Sequence, residues 1–106
     1  MTNASSSISN KQDTVTVELV GTLKHHVGRR RLQVVVIDGM SVISLIRELE
    51  KKGGLPKGLL MEDGREGIRK SLLVLVNGRA IGALDGLATR LTAGDRLTLL
   101  PVSHGG

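Results

Sequence analysis

From residue 14 the chain settles into strict alternation: Val15, Val17 and Leu19 fall on one side, Thr16 and Glu18 on the other. Successive side chains of an extended chain point to opposite faces, so this is a strand with one buried face. The glycine-flanked polar stretch 21–31 (GTLKHHVGRRR) reads as a long connection, and 32–37 as a second strand that pairs with the first in a hairpin. The period then changes. Val42, Leu45, Ile46 and Leu49 recur at i, i+3, i+4 and i+7, the stripe of an amphipathic helix. Ser41 is expected to cap its start. Lys51 and Lys52 complement the dipole in its last turn, and Gly53 closes it.

Beyond the helix, Leu59, Leu60 and Met61 are expected to dip back to the core within a glycine-rich segment, 54–71. Leu72–Val76 is a continuous apolar run bounded by a turn and too short for an ordinary helix, hence a strand. Asn77-Gly78 is the dipeptide of a tight type I′ hairpin turn, with a short strand pairing back at 79–81. Leu84, Leu87 and Leu91 anchor an irregular stretch, and Gly94-Asp95 turns into a last strand at 96–100. Pro101 cannot donate a ladder hydrogen bond, so it is expected to end the pairing. One helix against a mixed sheet is a two-layer α+β design. A right-handed crossover sets the last strand beside the first and parallel to it, the β-grasp arrangement. The expected organisation is a disordered polar leader at 1–13, one domain at 14–100 and a flexible tail at 101–106.

Composition narrows the classes of function. The 106 residues suffice for one modest core, and with no aromatic residue that core is built from Leu, Val, Ile, Met and Ala. No cysteine is present, which excludes disulfides, a thiolate nucleophile and a cysteine metal site. The net charge of +5 favours an acidic partner without selecting one. No apolar run approaches membrane-spanning length and the start is too polar for a signal peptide, so the expected location is cytoplasmic, without membrane partners.

The most informative stretch is the end, Pro101-Val102-Ser103-His104-Gly105-Gly106. Glycine carries no Cβ, so Gly105-Gly106 stays thin and extended and its carbonyl carbon is open to approach. With 14 glycines, a Gly-Gly ending arises by chance in roughly one chain in sixty, so the weight comes from the architecture ahead of it. A tail leaving a central strand presents the Gly106 carboxylate as the reactive group.

Here the sequence resembles the ubiquitin-like sulfur carriers and modifiers: the small subunit of molybdopterin synthase, the thiamine-pathway carrier, the ubiquitin-related modifier and the small archaeal modifier proteins. The resemblance covers about residues 14–106. It rests on Asp38-Gly39 with Ser41-Val42 opening the helix, Val76-Asn77-Gly78, Leu91 before Gly94-Asp95, and Pro101 before the closing Gly105-Gly106. His104-Gly105-Gly106 is most similar to the ubiquitin-related and archaeal branch. The resemblance implies a carrier or modifier rather than an enzyme, with the role of small subunit of a synthase within its range. It implies an E1-like adenylating enzyme that uses ATP on Gly106, and a product expected to accept sulfur, for molybdopterin or tRNA thiolation, or to join a lysine of a target protein. The chain itself has no GxxxxGK[ST] loop, so no cofactor is expected on it.

Leu73, Leu75 and Leu100 alternate with core positions and are expected on the open sheet face, with Val102 and His104 on the tail, as a docking surface for partner proteins. Arg29, Arg30 and Arg31, with Lys24 nearby, form a basic knot. They support a second reading, a noncatalytic binding module for RNA or an acidic protein. The missing aromatics count against a single-strand nucleic-acid binder. His25 and His26 are adjacent and diverge, with no third ligand in register, so no metal site is expected. Asp85, Asp95 and the Glu62-Asp63 pair read as turn formers.

Overall fold

A computed structural model describes residues 13–37, 39–52, 58, 60, 61 and 67–102. The elements in order are β1 (Thr14–Leu19), α1 (Leu23–Val27), β2 (Arg31–Val35), α2 (Val42–Lys52), β3 (Leu72–Val76), β4 (Arg79–Ala80), two 3-10 turns (Ile81–Ala83 and Gly86–Ala88) and β5 (Arg96–Pro101). The five strands form one sheet in the order β2-β1-β5-β3-β4. β5 lies at its centre, parallel to β1 and antiparallel to β3. This is the β-grasp arrangement that the strand and helix pattern implies.

The inward positions of β1, Val15, Val17 and Leu19, are all fully buried, as are Leu97 and Leu99 of β5 beside them. α2 lays Val42, Leu45, Ile46 and Leu49 onto this face. Burying each such side chain contributes about 1.5–3 kcal/mol, which is what holds helix to sheet. The Ser41 hydroxyl accepts the Ser44 N–H at 3.3 Å, so Ser41 caps the helix, although Ser44 cannot complete a capping box. Leu60 is fully buried and Met61 packs against the core, while Leu59 and Gly53 lie outside the described residues.

Four expectations change. The connection 21–31 contains a helix, α1, because Leu23 reaches the core and Gly28, at φ 79°, closes a turn whose N–H donates to Lys24 O at 2.7 Å. β2 runs from Arg31 to Val35 rather than 32–37, since a turn donating Met40 N–H to Ile37 O draws the chain out of the sheet. β4 stops at Ala80, where Ile81 begins a 3-10 turn. Pro101 ends pairing on one side only. Leu99 O accepts Val20 N–H from β1, so the missing N–H of Pro101 faces the β1 side, where the chain has already turned at Gly21. Toward β3 the pairing continues: Pro101 sits opposite Leu72, and Val102 N–H donates to Ser71 O at 2.8 Å.

The Asn77-Gly78 turn has φ of 52° and 85°, both left-handed, as a type I′ turn requires.

Candidate functional site

The side of the sheet away from α2 is uncovered among the described residues, and it divides into two chemically distinct halves. On β2 and β1, Gln33 Nε2 donates to Thr16 Oγ1 at 2.8 Å, and Arg31 Nε meets Glu18 Oε2 at 3.0 Å. Glu18 also receives Thr98 Oγ1 at 3.4 Å and lies 3.9 Å from Arg96 Nη1. Three polar side chains, Arg31, Thr98 and Arg96, thus converge on the Glu18 carboxylate and make that half polar.

The other half is apolar. Leu100 of β5 sits directly opposite Leu73 of β3, and Leu75 lies two residues along on the same face. Leu73 is 37% exposed, and Leu75 and Leu100 are half-buried, so the three leucines lie on the open face as their alternation implies. Val20, the residue just past β1, extends the row: Leu19 pairs with Leu99, which sets Val20 next to Leu100. Val20 is 36% exposed. It escaped the sequence reading because it follows the last alternating pair and looks like the start of the loop; only the parallel β1–β5 register brings it beside Leu100.

This row borders the root of the tail. The last anchored group among the described residues is Val102, held to Ser71 and half-buried. Ser103, His104, Gly105 and Gly106 lie outside the described residues. Four extended residues reach at most about 14 Å beyond that anchor.

The basic knot is divided by the fold. Lys24, His25, Gly28, Arg29 and Arg30 line a shallow cleft of about 280 Å³, whereas Arg31 turns onto the open face to pair with Glu18. Because β1 and β5 are parallel, the loop after β1 and the tail after β5 emerge at the same end of the sheet. A Cβ placed on Gly21 would stand 3.9 Å from Pro101 Cδ, so the loop abuts the tail root. The carboxylate of Asp95 accepts Thr92 N–H at 2.9 Å and Asn77 Nδ2 at 3.0 Å, which makes it a turn builder. Glu62 and Asp63 lie outside the described residues. Among the described residues, no group of three or more His, Cys, Asp or Glu could hold a metal ion. No described helix is long and apolar enough to cross a membrane.

Comparison with known proteins agrees with this geometry. The ThiS family model matches residues 17–106. Small archaeal modifier protein 3 of Haloferax volcanii is 35% identical over 85 residues, spanning 80% of this chain and 90% of that one. The solution structure of small archaeal modifier protein 1 from Methanosarcina acetivorans superposes with a TM-score of 0.76 at 30% identity, covering 91% of this chain and 99% of that one. A chain of the BexX/CysO complex of Amycolatopsis orientalis follows, with a TM-score of 0.67 and 27% identity over 87% of this chain and 99% of that one.

Proposed function

This chain belongs to the ThiS family of ubiquitin-like sulfur carriers and modifiers, and from that premise we propose that its Gly106 carboxylate is activated and loaded by partner enzymes. The carboxylate oxygen attacks the α-phosphorus of ATP in the partner's site, pyrophosphate leaves, and an acyl-adenylate forms on Gly106. Hydrosulfide attacking the acyl carbon then displaces AMP to leave a thiocarboxylate, which donates sulfur for molybdopterin or tRNA thiolation. A lysine amine of a target protein displacing the same leaving group gives an isopeptide bond. The chain supplies no side chain to either step. Its work is to dock and to deliver a thin acyl end into a site that a bulkier residue would block.

The observation that carries this reading is the apolar row Val20, Leu100 and Leu73 across three strands, bordering the root of the tail. A partner seated on that row is within reach of Gly106. Lys24, Arg29 and Arg30, at the same end of the sheet, suit an acidic rim on that partner. A relative of this fold occurs in a complex with a partner protein, BexX/CysO.

The test is the intact mass of the protein purified from its own cells, beside a chain lacking Gly106. Replacement of one carboxyl oxygen by sulfur supports the carrier role, and species enlarged by target proteins support conjugation. If the shortened chain restores every growth phenotype of a deletion strain, the reading is wrong. The alternative, a binding module for RNA or an acidic protein, predicts that outcome together with loss of function in an Arg29→Glu, Arg30→Glu double variant.

A further inference from the structure

The edge strand β2 and the helix α2 leave between them a groove of about 550 Å³, distinct from the apolar row of the open face. Its floor is Leu32 and Val34, which point to the helix side because they sit opposite the buried Val17 and Val15. Met40 and Ile37 close one end, and Leu49 and Lys52 the other. Ile37 is 77% exposed and Val35 54% exposed, large apolar side chains left in solvent at the same margin.

Among the described residues the backbone beside this groove is also unpaired. Leu19 N–H donates to Arg30 O, and Val36 N–H donates to Asp13 O. In an antiparallel ladder the bonding direction alternates, so Arg30, Leu32, Val34 and Val36 turn their peptide groups toward β1. Arg31, Gln33 and Val35 therefore turn theirs outward, and β2 is the last strand of the sheet on that side. No described residue pairs with this edge. An edge with an apolar trough along it is the geometry that accepts an added strand: main-chain bonds hold the segment and alternate side chains fill the trough.

We infer that this edge binds an extended segment of a partner protein whose apolar residues are followed by acidic ones. Charge selects that occupant. The mouth of the groove carries Lys52, with Lys51 beside it and Arg29 and Arg30 just ahead of β2 in the chain, while Arg31 is taken up by Glu18 on the opposite face. Glu48, the one acid lining the groove, lies 3.4 Å from Lys52 and offsets it, so the surplus positive charge at this end comes from Lys51, Arg29 and Arg30. A second copy of this chain, itself at +5, would bring like charge to the site. The site does not depend on Gly106 or on what is attached there.

The probe is a blocked peptide, Val-Ile-Val-Ile followed by a run of aspartates, titrated into the isotope-labelled full chain and followed by amide NMR. Saturable shifts centred on Arg31, Gln33 and Val35, with slowed exchange of those three amides, are expected. Val35→Pro removes an outward N–H and should weaken binding about 3- to 10-fold. Ile37→Asp changes a side chain already in solvent and should weaken it at least comparably, with the free protein's spectrum preserved. Lys52→Glu should weaken the aspartate peptide and not its asparagine counterpart. Shifts centred on Leu73 and Leu100, or none at millimolar peptide, would overturn the inference. So would dimerisation through β2 without peptide, which makes a second copy the occupant. Binding seen only after removal of residues 1–12 would make the chain's own leader the occupant, and would overturn it equally.

Discussion

The carboxamide of Asn77 donates to the Asp95 carboxylate at 3.0 Å and accepts the Arg96 N–H at 2.9 Å. The turn that closes the β3–β4 hairpin is thereby stitched to the turn that launches β5. The clasp sets the register of the central strand at its start, and that register decides where Val102 leaves the sheet at its end.

Asn77 does two jobs there, the left-handed turn and the clasp, and the two are separable. Asn77→Gly keeps the positive φ and loses the side-chain bonds, so a loss of about 1 kcal/mol is expected. Asn77→Ala adds the cost of a left-handed alanine and should lose about 2–3 kcal/mol. Urea unfolding of the three chains measures both. Equal losses in the two variants would show that strain at the turn contributes nothing.

Glu50 offers a second test. One of its oxygens accepts the N–H groups of Leu60 at 2.9 Å and Met61 at 3.0 Å, tying the chain after α2 back onto the helix. Glu50→Ala leaves two donors without their acceptor beside the buried Leu60, and about 1.5–3 kcal/mol should be lost in denaturant unfolding. Glu50→Gln keeps a carbonyl oxygen in place and should lose less than half of that.

On the open face, Leu73→Asp or Leu100→Asp introduces a charge where the row is exposed or half-buried. Unfolding free energy should change by about 1 kcal/mol or less. Transfer of AMP to the chain, assayed with the activating enzyme of its own cells, should fall at least tenfold, equivalent to about 1.4 kcal/mol. Undiminished transfer in both variants would remove this row from the docking surface.

Conjugation leaves a trace that trypsin defines. The last tryptic site is Arg96, so a modified target lysine carries the remnant Leu97 to Gly106 rather than a bare diglycine. Mass spectrometry of digests searched for that ten-residue remnant should find it on target lysines if the chain is a modifier. Its absence, alongside a thiocarboxylate on the intact protein, would assign the chain to sulfur transfer alone.

Leu91 and Leu45 report on the core. Both are fully buried, and replacing either with alanine should cost about 2–5 kcal/mol, the spread reflecting how far the surroundings close over the cavity. For a chain of this size that is a large share of total stability, so thermal unfolding should shift by many degrees.

Periodicity, apolar runs and turn residues located every strand, the main helix and its Ser41 cap, because each depends on residues within a turn or two of one another. The alternation in β3 and β5 even identified the leucines of the open face, Leu73, Leu75 and Leu100. α1 was not legible: five residues are too few to show a helical period, and the helix exists because Leu23 finds the core and Gly28 can turn left-handed. Glu50 was equally silent, since nothing in its neighbourhood announces that its oxygen meets Leu60 and Met61 ten residues on.

What the chain of residues determined by itself was therefore the five strands and the main helix, which face of each is apolar, and the family to which the Gly-Gly ending belongs. Only the tertiary structure decided that Val20 joins Leu100 and Leu73, that Arg31 leaves Arg29 and Arg30 to pair with Glu18, and that Pro101 releases β1 while β3 keeps its hold. The reason is physical. Facing direction is a local property of backbone geometry, whereas neighbours across a sheet are set by register, and register depends on hydrogen bonds and burial between segments as distant as Val20 and Leu100.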